Sequence, residues 1–433
     1  VDYFTYVRGE LHCEDVPAER IAREVGTPCW VYSTRTVLDH FHKLRRAFEQ
    51  SGKLVPPLIC YSVKANSNLS LMKLMLDQGA GFDVVSGGEL FRALKVGAPP
   101  GRIVFAGVGK SEEELRGAIE AQILLINAES EAEVARINRI AGERGRTPRV
   151  ALRVNPDVDP HTHRYTTTGK KENKFGITLD HARDLFGRRG EFAHLNLCGL
   201  HVHIGSQITR PDPYVQTLRK LADFLPGLRA TGAVIEYLDI GGGFGIWYKE
   251  KQALPADAMA AAMIPLLDPM GCRILLEPGR FIVGNAGILL TRVQYVKAAG
   301  ERRIAICDAG MNDLIRPALY EAYHRVWPAR SAPELSGEAP DEETWEGPKL
   351  PTDVVGPICE TGDFLALDRP LPELRGGELL AVFSAGAYGY AMSSNYNSHP
   401  RAAEVLVSGA QFRLATRRES YEDLVRNEQI VTF

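Results

Sequence analysis

The sequence predicts a (β/α)8 barrel followed by a mostly antiparallel β domain, and three observations predict it. Eight short apolar, β-branched runs recur between residues 58 and 276. Helix-like stretches separate most of them. Past residue 281 the texture changes to apolar runs joined by turns, with few long amphipathic stretches between them.

The eight runs fall at 58–62 (LICYS), 82–85 (FDVV), 103–106 (IVFA), 123–127 (ILLIN), 149–154 (RVALRV), 198–204 (CGLHVHI), 236–240 (EYLDI) and 273–276 (RILL). Between them Leu69–Gln78, Gly88–Lys95, Ser111–Ile119 and Ser130–Arg144 read as helices. Ser111 followed by Glu114 forms a capping-box pattern, and Ser86 followed by Glu89 a second. A doubly wound sheet competes with the barrel, and the count of eight favours the barrel. In the second domain the runs lie at 303–307, 353–355, 378–384 and 404–407. Residues 329–352, rich in prolines, glycines and acids, read as an exposed insertion or mobile loop. No internal repeat is present.

Composition narrows the class. The 433 residues are 45% hydrophobic and 24% charged, as in a soluble globular protein. A formal charge of -3 gives no electrostatic reason to expect nucleic acid or an anionic membrane as partner. Seven scattered cysteines without a CxxC pair fit reduced thiols in a cytoplasmic chain, and no metal site is expected. No run of eighteen apolar residues occurs, so no membrane span is expected, nor does the N-terminus read as a signal peptide.

In a barrel the chemistry gathers at the C-terminal ends of the strands. Here the first run delivers Lys64, the second carries Asp83, and the fifth offers Arg153 and Asn155. The sixth offers His201, His203, Ser206 and Gln207, the seventh ends in Gly241-Gly242-Gly243, and the eighth in Glu277-Pro278-Gly279-Arg280. Three consecutive glycines leave backbone N–H groups uncovered, so the turn could cradle a phosphate, or could simply be tight. A position late in the barrel favours the phosphate. The pattern is neither GxGxxG nor GxxxxGK[ST].

Lys64 either solvates a strand end or acts as an amine nucleophile that forms a Schiff base with an aldehyde. An aldehyde carrying a phosphate, pyridoxal 5'-phosphate (PLP), would engage Lys64 and the triglycine together. Glu277 would keep a proton on the pyridine nitrogen. His203 could lie on the ring face as neutral imidazole. His201 is expected to be a satisfied core histidine or a secondary contact.

At this point the chain resembles the fold type III PLP-dependent decarboxylases, the meso-diaminopimelate decarboxylases among them. The carrying stretches are YSVKANSN (61–68), DVVSGGE (83–89), NKFGI (173–177), HVHIGSQ (201–207), GGGFG (241–245), EPGR (277–280), MNDLIRPALY (311–320), GPICETGD (356–363) and GAYGYAMSSNYN (386–397). They span nearly the whole chain in order. The resemblance implies that Lys64 carries PLP, His203 stacks on it, and Glu277 partners its nitrogen, with Asp83 and Arg153 also in the cofactor site. It assigns Ser206, Gly241, Gly242, Gly243 and Tyr388 to the phosphate.

It further implies that Arg280, Arg316 and Tyr320 grip the distal substrate carboxylate, with Tyr388 nearby. Glu360 then contacts the distal amine, and Cys359 protonates the carbon that loses carbon dioxide. The expected reaction is decarboxylation of meso-diaminopimelate to L-lysine, the last step of lysine biosynthesis, in a cytoplasmic homodimer with shared active sites. The expected boundaries are 31–280 for the barrel, and 1–30 with 281–433 for the β domain.

Two departures stand out: the long polar stretch 329–352, and HTHRYTTTGKKENKFG (161–176), where the family more often has a proline-tyrosine pair after the first histidine. The rivals are a decarboxylase of ornithine, lysine or arginine, which should not need all three distal-carboxylate residues, and a non-catalytic PLP-binding homologue. A racemase of the same fold usually presents arginine to the pyridine nitrogen, and Glu277 argues against it.

Overall fold

The computed structural model describes residues 2–49, 55–159, 174–249, 253, 255–340 and 345–433. Eight parallel strands close on themselves: Leu58–Ser62, Gly81–Val84, Ile103–Phe105, Leu125–Ala128, Arg149–Asn155, Asn196–His201, Tyr237–Asp239 and Arg273–Leu276, numbered one to eight below. Strand eight returns to strand one, with Leu275 opposite Leu58 and Leu276 opposite Ile59. That closure removes the doubly wound alternative, which would leave two open edges. Cys60, Val104, Leu125, Ala151, Cys198 and Leu275 pack as one buried apolar cluster across the strands.

Local chemistry explains the helix starts. Helix Glu112–Ala121 begins at a complete capping box, with the Ser111 hydroxyl accepting the Glu114 N–H and the Glu114 carboxylate accepting that of Ser111. The second expected box is only half formed. Ser86 caps helix Gly87–Lys95, but the Glu89 carboxylate accepts the N–H of Val85 (2.8 Å) instead of Ser86. Strand six is shorter than its apolar run, stopping at His201, and the chain then passes through Gln207 in the left-handed region (φ 64°). His203 therefore sits beyond the strand rather than on it.

The chain forms two compact units. One comprises Asp39–Trp247 with Gln252–Phe281 and holds the barrel. The other comprises Val1–Leu38, Tyr248–Lys251 and Ile282–Phe433. This second unit is organised by a long strand, Gly287–Ala299, antiparallel to Arg302–Cys307, Leu379–Val382 and Cys29–Ser33. Two pairings are parallel: Arg302–Cys307 with Leu350–Val355, and Ala403–Ser408 with Cys29–Ser33. Cys29–Ser33 (CWVYS) is buried at every position, which carries the unit past residue 30.

Of the two expectations for 329–352, the exposed insertion holds, most of its described residues being exposed or half-buried, while its backbone pairing corrects the mobile loop. Gly337 exchanges two hydrogen bonds with Tyr6 in strand Phe4–Val7, and Ser331 donates to Gly9 (2.8 Å). Ala329 accepts from Leu11 and is fully buried, and Trp345 packs edge-on against Trp327 at 5.6 Å. Two isolated bridges, Tyr6 to Gly337 and Glu10 to Arg330, thus tie the insertion's backbone to the N-terminal strands. Its residues 341–344 and most of 161–176 lie outside the described residues. Among the described residues no helix is long and apolar enough to cross a membrane.

Candidate active site

Every barrel residue singled out in the sequence lies at the C-terminal end of its strand or just beyond it. Lys64 sits in the short turn Val63–Ala65 after strand one, its side chain 34% exposed. Its Nζ is 3.3 Å from the buried carboxylate of Asp83 on strand two, which also accepts the Ser62 hydroxyl at 2.6 Å. The ammonium is thus held by a fixed anion while part of the side chain stays open to solvent.

His203 and the triglycine are built together. The N–H of Gly242 donates to Nδ1 of His203 (3.2 Å), so Nδ1 is the bare nitrogen and Nε2 carries the hydrogen. Burial, with Lys64, Arg153 and His201 adding repulsion, holds this imidazole well below its ordinary range, and it is neutral. Gly241 and Gly243 have φ of +69° and +95°, where a side chain is strained. At Gly242 an added Cβ would overlap the carbonyl oxygen of Glu277 and lie 2.9 Å from its carbonyl carbon. So the turn is tight for steric reasons, and the same absence of side chains leaves a cradle. Ser206 accepts a hydrogen bond from Arg280 (3.1 Å), tying the segment after strand six to the one after strand eight.

Glu277 is 3% exposed, and among the described residues its Oε1 meets no hydrogen-bond partner. Burial, reinforced by Asp83 and offset by Lys64, raises its carboxyl above the ordinary carboxylate range. A buried carboxylate with an unpartnered oxygen calls for a cationic or N–H partner. Arg153 is already engaged, bonded to Glu129 at 2.7 Å with its guanidinium 4.5 Å from the Phe175 ring centre. Of the two expectations for His201 the structure bears out the secondary contact: it is buried, among the described residues neither ring nitrogen forms a hydrogen bond, and Nε2 lies 3.4 Å from the Glu277 carboxylate.

The remaining candidates belong to the other unit. Arg316 opens the short helix Arg316–Tyr320 and is 6% exposed. It lies 2.9 Å from Nε2 of His324, whose Nδ1 is 2.9 Å from the carbonyl of Phe383. A carbonyl only accepts, so Nδ1 is the N–H and Nε2 receives the guanidinium hydrogen. The sequence reading missed His324, whose role shows only once the carbonyl of Phe383, 59 residues away, is brought to its Nδ1. The Arg316 guanidinium also lies 5.0 Å from the Tyr248 ring centre.

Cys359 and Glu360 are exposed. The Cys359 N–H donates to Asn397 (2.7 Å), and Glu360 accepts the Tyr396 hydroxyl (3.2 Å). Asp363 pins their loop, accepting from Ile358 and Met311 at 2.6 Å each. Tyr388 adopts a left-handed backbone (φ 56°), uncommon for a bulky side chain and typical of functional segments.

PLP fits these groups. It needs an amine, a proton-holding anion, a flat neutral ring face and a phosphate cradle. Lys64, the unpartnered oxygen of Glu277, neutral His203 and the glycine turn with Ser206 supply that set. Residues 35–284 match the family model described as "Pyridoxal-dependent decarboxylase, pyridoxal binding domain". The chain belongs to the pyridoxal-dependent decarboxylases.

Its full-length relatives narrow the branch. It is 48% identical to the diaminopimelate decarboxylase of Aquifex aeolicus (strain VF5) over 425 residues, 98% of this chain and 96% of that one. Against the diaminopimelate decarboxylase of Pseudomonas aeruginosa the identity is 45% over 434 residues, covering 100% of both. A solved diaminopimelate decarboxylase from M. jannaschii in complex with L-lysine superposes with a TM-score of 0.90 at 35% identity, covering 99% of this chain and 98% of the other. Within its class this chain stands in the diaminopimelate decarboxylase branch.

Proposed function

We propose that this chain decarboxylates meso-2,6-diaminopimelate to L-lysine and carbon dioxide with PLP held on Lys64. The observation that carries the reading is Glu277, a buried carboxylate with an unpartnered oxygen. It lies at the barrel end that also presents Lys64 beside Asp83. The relatives named above carry the choice of substrate.

PLP, when bound, supplies an aldehyde that joins an amine and a ring that accepts the electron pair left by departing carbon dioxide. The chain's residues prepare and direct that chemistry. Lys64 would be the amine that holds the cofactor, and Asp83, 3.3 Å away, orients its Nζ. Glu277 holds a proton at the ring nitrogen. Neutral His203, fixed as the Nε2–H tautomer by Gly242, offers a flat face without adding charge. Ser206, Gly241, Gly242, Gly243 and Tyr388 are assigned to the phosphate, and Arg153 to the support of the cofactor pocket through Glu129.

Arg280, Arg316 and Tyr320 are assigned to the distal carboxylate. Arg316 suits that task because His324 fixes its guanidinium, and a fixed fork loses little freedom when it grips a carboxylate. Glu360 is assigned to the distal ammonium, and Cys359 to delivery of a proton to the carbon that has lost carbon dioxide. Both are exposed on their own chain, which supports sites completed across a homodimer interface. All seven cysteines are free thiols, which supports a cytoplasmic setting.

The test is incubation of the PLP-loaded protein with meso-diaminopimelate, and in parallel with L-lysine, L-ornithine and L-arginine, following carbon dioxide and product. Turnover of diaminopimelate alone is expected. Release from a basic amino acid instead would reassign the substrate, and no turnover at all would reduce the chain to a PLP-binding protein.

A further inference from the structure

The Arg316 fork is held by more than its hydrogen bond to His324. Strand Val326–Pro328 runs antiparallel to Leu379–Val382, with Val326 opposite Val382. Just beyond that pair the Phe383 N–H donates to the carbonyl of Arg325 (2.8 Å). The sheet thus delivers His324, fully buried, to the Phe383 carbonyl and settles where its Nε2 faces. The bond from Nη1 of Arg316 to that nitrogen sets one N–H direction. A fork that meets a flat carboxylate with two parallel bonds also needs its plane set.

The Tyr248 ring is placed to set it. Tyr248 falls in the same compact unit as Arg316 and His324, and it comes soon after the glycine turn in sequence. The Arg316 guanidinium lies over its ring, 5.0 Å from the centre. The same ring meets the His324 imidazole edge-on, with centres 5.5 Å apart and planes at 83°. One aromatic side chain therefore backs both members of the pair.

The chemistry of those two neighbours distinguishes Arg316 from a structural arginine. Arg316 is 6% exposed, and a buried cation is costly unless something compensates it. Arg153, equally buried, is compensated by the Glu129 carboxylate at 2.7 Å, which neutralises its charge. His324 instead offers Arg316 a bare neutral nitrogen, and Tyr248 the electron-rich face of a ring. Both stabilise the cation without supplying an anion. Neither competes with a carboxylate that arrives from outside, and a fork held in advance loses little freedom on meeting it.

We propose that Tyr248 is a positioning residue for substrate recognition: its ring fixes the plane of the Arg316 fork while leaving the charge of Arg316 available to a distal carboxylate. This rests on the reading of Arg316 as the grip on that carboxylate.

The test uses the PLP-loaded protein, with the KM for meso-diaminopimelate set against inhibition by cadaverine, a diamine that has no carboxylate. Tyr248→Leu should raise that KM about 3–30-fold, the loss expected for a partly desolvated cation–ring contact. Its kcat should stay within about threefold of wild type and cadaverine inhibition within about twofold, because only uniform binding of the carboxylate is lost. Tyr248→Phe keeps the ring and should recover most of the KM. An unchanged KM in Tyr248→Leu overturns the proposal, as does a parallel loss of cadaverine binding, which would mark general damage to the site.

Two further measurements separate positioning from packing. In an Arg316→Ala background, Tyr248→Leu should change the KM by less than about twofold; effects that multiply would show that Tyr248 acts independently of Arg316 and overturn the proposal. Should Tyr248→Leu fail to fold, fluorine atoms added one at a time to the ring of Tyr248→Phe keep its shape and weaken its negative face. The KM should then climb with each fluorine, and a flat series overturns the proposal. If Arg316→Ala itself leaves the KM unchanged, the reading of Arg316 falls and the proposal with it, whereas an Arg316 effect without a Tyr248 effect overturns the proposal alone.

Discussion

Gly242→Ala tests the idea that the glycine turn and the ring-nitrogen partner form one rigid piece. The new Cβ would overlap the Glu277 carbonyl oxygen and lie 2.9 Å from the carbonyl carbon. Carbon atoms pack comfortably at about 3.5–4.0 Å, so one backbone must retreat by at least about half an ångström from the carbon, and further from the oxygen. Neither backbone is free to do so. Glu277 donates its N–H to Gly241 (2.8 Å), and the Gly242 N–H is bonded to His203. Overpacking of this kind costs about 1–3 kcal/mol of stability.

The larger effect should be on turnover, because a misplacement of about 1 Å in a catalytic group costs about a hundredfold. Steady-state decarboxylation, cofactor titration and urea unfolding would be compared with Gly227→Ala. That glycine lies within helix Asp212–Ala230 with nothing within 4 Å of an added Cβ. It should leave turnover alone and gain about 0.5–1 kcal/mol of stability. Wild-type turnover and cofactor affinity in Gly242→Ala would refute the reasoning.

Four further outcomes are expected. Lys64→Ala should remain folded by circular dichroism but lose both turnover and the absorbance of lysine-bound cofactor; retained turnover would remove Lys64 from its role. Cys359→Ala should keep that absorbance and slow product formation. Refolding the two variants together should restore about a quarter of wild-type turnover, half the dimers being mixed with one complete site each; no recovery would argue against sites shared between chains. Arg316→Ala should raise the KM for diaminopimelate about 10–100-fold, the loss of one charged hydrogen bond. If L-lysine does not improve as a competitor relative to diaminopimelate, the distal-carboxylate assignment is wrong.

Asp313 concerns stability. Burial pushes its carboxyl from 3.8 up to about 7, so the folded chain holds a proton that the unfolded chain releases. Its stabilisation is full below 3.8 and is lost as pH rises through about 7. Asp313→Asn should therefore gain on wild type in urea unfolding at about pH 8 and show no gain at about pH 4. Equal differences at both values would show that Asp313 is not the titrating group.

The barrel was legible because each of its strands is a short apolar run with punctuation on both sides. The runs 58–62 and 273–276 match strands one and eight residue for residue. The organising strand of the other unit was not legible. Gly287–Ala299 is fully buried over its first five residues and mostly exposed over its last six, so neither alternation nor a continuous apolar run marks it. Strand six was read too long because Val202 and Ile204 continue its apolar run beyond the ladder.

In the site, Lys64, His203 and Glu277 were legible as polar residues at strand ends. Tyr248 was not: a tyrosine past the glycine turn gains meaning only once Arg316 and His324 are brought to its ring. His324 was hidden for the same reason, since Arg316 and Phe383 meet it from separate segments.

Strand Cys29–Ser33 has a consequence for how the chain is made. Its two sheet partners, Gly287–Ala299 and Ala403–Ser408, are translated long after it. All the barrel strands are complete once Leu276 has emerged, whereas CWVYS, fully buried at the end, must wait for Ser408 before both its edges are covered. During synthesis an apolar segment therefore trails unpartnered from a barrel whose strands are already complete. Nascent chains cut short between those points should be the ones that aggregate or engage chaperones.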